Sequence, residues 1–241
     1  MQRRNFLKVL ATGSVIAIYP SMIDGTLHAD DGTLFETYEK VQLVDEEGNP
    51  ILASTLEKEK NYVFNYPHVA TTCILLALPR ATDTKVTLKD EDGTEYIWNG
   101  GVGKEKNIVA YSGICPHQLT HVNKSDTFIS YLGTGKKTMA CKQDNVIVCG
   151  SHLSAYDPQK GCKVIAGPAP QPLASVVLEH HEDDTLWAVA ILGNDKFQQF
   201  FKAFKPELKE QFGGKRKAKK MLKNTTTTLA LADYTKEVIQ Y

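Results

Sequence analysis

The sequence predicts an all-β domain over residues 33–192, an antiparallel sandwich or a barrel-like fold. Short runs rich in β-branched and aromatic residues recur along this part of the chain, and turn sequences such as EEGNP and DEDGT separate them. Short strands at this spacing are typical of antiparallel sandwiches. The predicted strands lie in KVQLVD, NYVFNY, TTCILLALP, KVTLKD, TEYIWNG, NIVAYSGI, NVIVCG, LASVVLEHH and TLWAVAIL.

The overall composition is that of an ordinary globular protein, because 42% of the 241 residues are hydrophobic and 23% are charged. The formal net charge is zero, so the molecule has no overall field that would attract nucleic acid, and we expect no nucleic-acid partner. Five cysteines are too few for a disulfide scaffold of this length. Each thiol therefore needs its own explanation.

The first residues, 1–30, predict an export signal or a membrane anchor. Arg3, Arg4 and Lys8 precede a weakly apolar stretch from Val9 to Tyr19, which is shorter than the roughly 20 residues of a bilayer span. The sequence RRNFLK resembles the twin-arginine export motif, although a basic helix start is the alternative. The resemblance implies a protein on the periplasmic face of the cytoplasmic membrane, anchored or soluble.

The last part of the chain, 193–241, predicts a helical and basic extension. Its aromatic residues recur at helical spacing, and Pro206 is expected to kink or restart the helix. This apolar stripe either packs on its own domain or docks onto a partner subunit. The segment KRKAKKMLK adds six basic residues, which form either a solvated face or a contact with anionic lipid or an acidic electron-transfer partner. The apolar stripe consists of Phe197, Phe200, Phe201, Phe204, Leu208 and Phe212.

Two cysteine–histidine pairs carry the chemistry. Cys115 and His117 are spaced C-x-H after the apolar strand NIVAYSGI, and Cys149 and His152 are spaced C-x-x-H after NVIV. Two loops that each offer one sulfur and one nitrogen make a four-ligand site. Such a donor set suits either tetrahedral zinc or an iron–sulfur cluster with thiolates on one iron and imidazoles on the other.

The surrounding sequence resembles the Rieske iron–sulfur family. The matching stretches are AYSGICPHQLTH, CGSHLSAYDPQKG and AGPAP, within the cluster-binding region at about 110–172. The resemblance implies a Rieske-type sandwich with a small cluster-binding subdomain and one [2Fe–2S] cluster per chain. It assigns the sulfurs of Cys115 and Cys149 to one iron, and the Nδ1 atoms of His117 and His152 to the other. The segments FNYPHVATTCILLAL and VGKEKNIVAYSGIC further resemble the Rieske small subunit of arsenite oxidases.

Mixed ligation has a physical consequence that does not depend on the family. Two neutral imidazoles in place of two thiolates make the cluster less negative, so the reduction potential rises from around −400 mV to roughly −150 to +300 mV. A ligating imidazole keeps one ring nitrogen free to titrate, so electron and proton uptake become linked. Quinol is a chemically suitable donor for such a site.

The resemblance also assigns residues around the cluster. Ser154 and Tyr156 match the serine and tyrosine that donate hydrogen bonds to a cluster sulfide and a cysteine ligand in high-potential Rieske proteins. The alternative is a purely structural role, with Ser154 in a turn and Tyr156 in the core. Gly167, Pro168 and Pro170 match the loop that covers the cluster. The serine and tyrosine favour quinol oxidation, because arsenite oxidase small subunits commonly lack that tyrosine hydroxyl.

The pattern departs from the family at the disulfide that often joins the two ligand loops. The corresponding positions are Thr120 and Ser151, which cannot form it, and the 31 residues between the first histidine and the second cysteine include what looks like an added hairpin. Cys141 and Cys162 could form a substitute disulfide in an oxidising compartment, or both could be free thiols. Family matching gives His121 no ligand role.

These observations predict an electron-transfer subunit that is not catalytic alone. It would be the iron–sulfur subunit of a respiratory quinol:cytochrome c oxidoreductase-like complex or the small subunit of an arsenite-oxidase-like molybdoenzyme. The expected partners are a cytochrome, quinol-oxidising or molybdoenzyme subunits, quinol itself and the membrane. A structural zinc module is the alternative from a different class. A catalytic oxygenase would need a second domain with two histidines and a carboxylate, and the 49 residues from Gly193 onward contain no histidine.

Overall fold

The computed structural model describes residues 34–240, so the predicted export segment lies outside the described residues. Within them the chain forms fourteen strands and four α-helices. The strands are β1 (Phe35–Val44), β2 (Tyr62–Asn65), β3 (Thr72–Ala77), β4 (Val86–Lys89), β5 (Glu95–Trp98), β6 (Ile108–Ser112), β7 (Ile129–Leu132), β8 (Val146–Cys149), β9 (Ser154–Asp157), β10 (Lys163–Ala166), β11 (Ser175–His180), β12 (Leu186–Leu192), β13 (Asn224–Thr227) and β14 (Leu229–Ala230). The helices are α1 (Phe197–Ala203), α2 (Lys205–Phe212), α3 (Lys215–Ala218) and α4 (Leu231–Tyr234).

The strands form three sheets, and the predicted mostly-β fold is confirmed. The largest sheet has eight strands in the order β13-β1-β12-β11-β6-β3-β2-β14. A second sheet has the order β10-β9-β8-β7, and β4 pairs with β5 in the third. The pairs within these sheets are antiparallel except for β1 with β13, which is parallel. Each predicted strand is present, and β7, β9 and β10 are short additions within the region expected to bind the cluster.

The central strands of the eight-stranded sheet are buried on both faces, and β3 shows why. Cys73 and Leu75 point into one apolar cluster, which also contains Phe200 and Phe201 from α1. Ile74 and Leu76 point into a second cluster, shared with residues of the four-stranded sheet such as Ile147 and Tyr156. Because successive side chains of a strand alternate in direction, a strand covered on both faces is apolar throughout. The architecture is therefore helices on one face of the main sheet and the smaller sheets on the other.

The C-terminal extension is integrated with the main sheet. Phe197, Phe200, Phe201 and Leu208 are buried in its core, so the apolar stripe packs on its own domain. The end of the extension, which was not predicted to contain strands, supplies β13 beside β1 and β14 beside β2. Among residues 34–240, no helix has the length and hydropathy that a membrane span requires.

Candidate metal centre

The first ligand loop follows β6 and is closed by backbone hydrogen bonds. The Cys115 N–H donates to the Thr120 carbonyl at 2.7 Å, and the Leu119 N–H donates to the Cys115 carbonyl at 2.9 Å. Leu119 adopts a left-handed conformation with φ +62°. This tight loop buries Cys115 at 2% exposure and leaves His117 half-buried at the rim.

The second ligand loop joins β8 to β9. Cys149 pairs with Ser154 at the end of these strands, and the Gly150 N–H donates to the Phe128 carbonyl at 2.6 Å. Leu153 has φ +58°, which reverses the chain immediately after His152. Cys149 is consequently buried, while His152 is exposed.

The four predicted ligand residues converge from the two loops. The Cys115 and Cys149 side chains are within hydrogen-bonding contact in the interior. The His117 and His152 rings meet edge to face, with their centroids 4.8 Å apart and their planes at 84°. The site therefore consists of an inner sulfur pair and an outer imidazole pair.

Hydrogen-bond donors surround the two sulfurs. The pKa of Cys115 is lowered to about 6, because its sulfur accepts from the Cys149 thiol, from the Tyr156 hydroxyl at 3.1 Å and from the backbone N–H groups of His117 and Gln118. The pKa of Cys149 is raised, mainly because its proton is shared with Cys115 and because it is buried. These donors stabilise negative charge on sulfur, which is the charge that a thiolate ligand carries.

Two polar atoms at the site are buried without a hydrogen-bond partner. They are Nδ1 of His117 and the hydroxyl oxygen of Ser154. The Ser154 hydroxyl lies beside the Tyr156 hydroxyl, but their geometry does not make a hydrogen bond. Buried polar atoms normally have partners, so orphaned atoms at one place indicate a missing group. A cluster between the sulfurs and the imidazoles would bind this Nδ1 and accept a hydrogen bond from this hydroxyl, so the residues present fit it.

The grouping of the ligand residues into a sulfur pair and an imidazole pair suits a dinuclear cluster. A structural zinc ion needs four ligands around a single point. Within the described part of the chain, no three His, Cys, Asp or Glu side chains come together at one metal position. A dinuclear cluster takes only two protein ligands per iron, which matches a sulfur pair set apart from an imidazole pair.

The predicted covering loop packs against the second ligand loop. Gly167 has φ +84°, and a Cβ atom there would lie 2.4 Å from the Leu153 carbonyl oxygen and 2.5 Å from Ser154 Cα. Glycine is therefore required at this position. Pro168 and Pro170 are exposed beside it.

The structure does not contain the disulfide considered between Cys141 and Cys162, because both thiols are free. Cys162 is fully buried in the apolar cluster beneath the site, whereas Cys141 is half-buried against a different cluster around β7 and β8. Packing places the two residues in separate clusters, which sequence order alone does not reveal.

His121 has a role that the sequence did not reveal. Its Nδ1 lies 3.0 Å from the Leu119 carbonyl oxygen, and its Nε2 lies 2.9 Å from a carboxylate oxygen of Glu207 in α2. The rings of Phe200 and Phe204 contact it, with centroids 4.7 and 4.5 Å away. The first ligand loop is therefore attached to the C-terminal helices. The aromatic stripe in the sequence predicts that the C-terminal helices pack on something, but it does not indicate that they contact His121.

Comparison with known proteins identifies a family for part of the chain. Residues 77–177 match the family model described as the Rieske [2Fe-2S] domain. The chain is 28% identical over 193 residues to the iodate reductase subunit IdrB of Denitromonas iodatirespirans, covering 80% of this chain and 82% of that protein. The solved soluble domain of the Rieske protein II (soxF) from Sulfolobus acidocaldarius is 21% identical with a TM-score of 0.43, over 63% of this chain and 77% of that one. The ferredoxin of carbazole 1,9a-dioxygenase from Nocardioides aromaticivorans IC177 is 10% identical with a TM-score of 0.35, over 65% of this chain and 99% of that one.

Residues 77–177 are therefore a Rieske [2Fe–2S] domain, and the predicted family is confirmed. This domain implies an electron-transfer role and one [2Fe–2S] cluster.

Proposed function

We propose that this chain is the Rieske subunit of a multi-subunit oxidoreductase of the arsenite-oxidase type, in which it passes electrons between a molybdenum-containing subunit and a cytochrome. The observation that carries the proposal is the alignment with an iodate reductase subunit over about four-fifths of both chains. The upstream segments that resemble arsenite oxidase small subunits support the same assembly.

The cluster ligands in this proposal are Cys115 and Cys149 through sulfur, and His117 and His152 through Nδ1. Support comes from the contact between the two buried sulfurs, the adjacent imidazole rings and the unpartnered Nδ1 of His117. When bound, the cluster supplies a one-electron carrier of raised potential, because two of its ligands are neutral.

The protein residues keep the inner side of the site dry and its outer side open. Cys115, Cys149 and Tyr156 are at most 2% exposed, so the sulfurs and their hydrogen-bond donors are shielded from water. His152 lies exposed at the surface, and His117 lies half-buried beside it. The imidazole edge is thus the shortest route for an electron to or from a partner protein.

A second candidate function is the iron–sulfur subunit of a quinol:cytochrome c oxidoreductase. The specific observation in its favour is the hydrogen bond from Tyr156 Oη to Cys115 Sγ at 3.1 Å. A donor to a ligand sulfur stabilises the more negative reduced form, so it raises the potential into the range that suits quinol oxidation.

Purification of the tagged full chain from its native cell would test both assemblies. Co-purification with a molybdenum-containing subunit would support the first, and co-purification with a b-type cytochrome and quinol-dependent reduction would replace it with the second. In parallel, Cys149→Ser should abolish the low-temperature EPR signal of the reduced protein, whereas the control Cys141→Ser should retain it. An unchanged EPR signal in Cys149→Ser would refute the ligand assignment.

We also propose that residues 1–30 direct export by the twin-arginine route to the periplasmic face of the membrane. RRNFLK is the supporting sequence. Replacing Arg3 and Arg4 with lysine should leave the protein in the cytoplasmic fraction, and unimpaired export of that variant would contradict the proposal.

A further inference from the structure

Positive charge is concentrated in one short part of the C-terminal extension. Residues 202–223 contain nine lysines and arginines and two glutamates, a net charge of +7 in a chain whose total is zero. We call the exposed basic residues of this segment the basic surface. Among residues 34–240, one member of the basic surface forms an ion pair, which is Lys223 with Glu39 at 3.5 Å. The members are Lys202, Lys205, Lys209, Lys215, Arg216, Lys217, Lys220 and Lys223.

The basic surface is fixed next to the first ligand loop. Lys205 and Lys209 flank Glu207, whose carboxylate accepts from His121 at 2.9 Å. Further along, the Ala70 N–H donates to the Ala218 carbonyl, and the Val69 N–H donates to the Lys220 carbonyl. These bonds attach α3 to the turn that leads into β3, which pairs with β6 beneath the loop. The charges thus have a defined position relative to the first ligand loop.

We propose that the basic surface is the docking site for an acidic redox protein, which it orients so that the partner's cofactor faces His117 and His152. The proposal rests on the electron-transfer function. One electron leaves the reduced protein and reduces a ferric haem to ferrous, with no bond made or broken. Electrostatic steering suits such a step, because it raises the encounter rate while leaving a small interface that separates quickly.

The distribution of apolar residues favours a protein partner over a membrane. A helix that binds lipid through basic residues also inserts apolar side chains. Here Phe200, Phe201 and Leu208 are buried in the core of the protein itself. Among the described residues the one large exposed hydrophobic side chain is Met139, which lies on the β7–β8 hairpin and outside the basic surface.

Stopped-flow reduction of two forms of one acceptor would test the proposal. The acceptors are ferricytochrome c with native lysines, which is basic, and lysine-succinylated ferricytochrome c, which is acidic. With the acidic form we expect the rate constant to fall as salt is added. The triple variant Lys215→Glu, Arg216→Glu, Lys220→Glu should lower that rate constant about tenfold at low salt, within the range of steering effects. The cluster potential should not change.

A matched control has the same change in charge elsewhere. Lys136→Glu, Lys137→Glu, Lys142→Glu alters exposed lysines on the β7–β8 hairpin, at the opposite end of these strands from Cys149. It should leave the rate constant within about twofold of the unmodified protein. Equal slowing by both triple variants would overturn the proposal, because only total charge would then matter. If the Lys215→Glu, Arg216→Glu, Lys220→Glu variant lost binding to phosphatidylglycerol vesicles but reduced the acidic acceptor at an unchanged rate, the basic surface would be a membrane contact instead. Failure of the reduced protein to reduce either acceptor would overturn the electron-transfer function itself.

Discussion

At the scale of single residues, the site is defined by what surrounds two buried sulfurs. The pKa of Tyr156 is raised by burial and by the neighbouring Cys115, so the phenol stays protonated and donates to that sulfur. Backbone N–H groups of His117 and Gln118 face Cys115, and those of Ser151 and His152 face Cys149. These donors tune the sulfurs without contributing a ligand.

Tyr156→Phe should lower the reduction potential. The substitution keeps the buried ring and removes one hydrogen-bond donor to the Cys115 sulfur. If that hydrogen bond is stronger by about 1 kcal/mol in the reduced form, its loss lowers the reduction potential by about 40 mV. EPR-monitored redox titration measures the shift. Tyr131→Phe is the control, because it removes a buried hydroxyl that donates to Asn145 Oδ1 at 2.7 Å instead. Equal potentials for Tyr156→Phe and the unmodified protein would contradict this tuning role.

At the scale of secondary-structure elements, each loop at the site is held by a different contact. The first loop is attached to α2 through His121 and Glu207, and the second is packed against Gly167 of the covering loop. Because Thr120 and Ser151 cannot bridge the loops, these noncovalent contacts have to position the ligands.

Gly167→Ala should reduce the amount of bound cluster. The added Cβ would overlap the Leu153 carbonyl at 2.4 Å, so the covering loop and Ser154 have to move apart. Gly135→Ala is the matched control, because Gly135 has φ +73° and no atom within 4 Å of its Cβ position. Iron content per protein and EPR intensity would measure the difference. Equal losses in both variants would show that backbone strain alone, and not the close approach, is responsible.

Glu207→Gln should loosen the first ligand loop. It removes the charged acceptor of the buried His121 ring, so we expect the free energy of unfolding to fall by about 1–2 kcal/mol and cluster loss to accelerate. Denaturant unfolding and the decay of visible absorbance measure the two effects. Glu210→Gln, on the exposed side of the same helix, should change stability by less than about 0.5 kcal/mol. A Glu207→Gln protein as stable as this control would show that the contact between His121 and Glu207 does not hold the loop.

At the scale of the whole molecule, the C-terminal extension completes the fold. It covers one face of the main sheet with α1 and α2 and adds strands beside β1 and β2. His68 lies at the junction, 7% exposed, with the rings of Phe197 and Phe201 at 5.8 and 5.1 Å. Burial, assisted by the charge of Lys219, lowers the pKa of His68 to about 4.

Acid should therefore weaken the attachment of the extension. His68 is neutral in the folded protein and titrates near pH 6.5 when unfolded, so its contribution is complete above pH 6.5 and is lost as pH falls toward 4. The loss reaches about 3 kcal/mol at most. Denaturant unfolding at pH 7 and pH 4.5 should show a smaller difference for His68→Phe than for the unmodified protein. The same difference in both proteins would show that other groups control the acid sensitivity.

The sequence by itself determined the strands, the Rieske family and the four candidate ligand residues. Strand alternation and the spacings C-x-H and C-x-x-H are local, so they can be recognised in one dimension. Only the tertiary structure decided what lies next to these elements. It separated Cys141 from Cys162, joined His121 to Glu207 across 86 positions and placed the basic surface beside the first ligand loop. Such contacts arise when distant segments bury their apolar faces together, and the local sequence does not specify which faces meet.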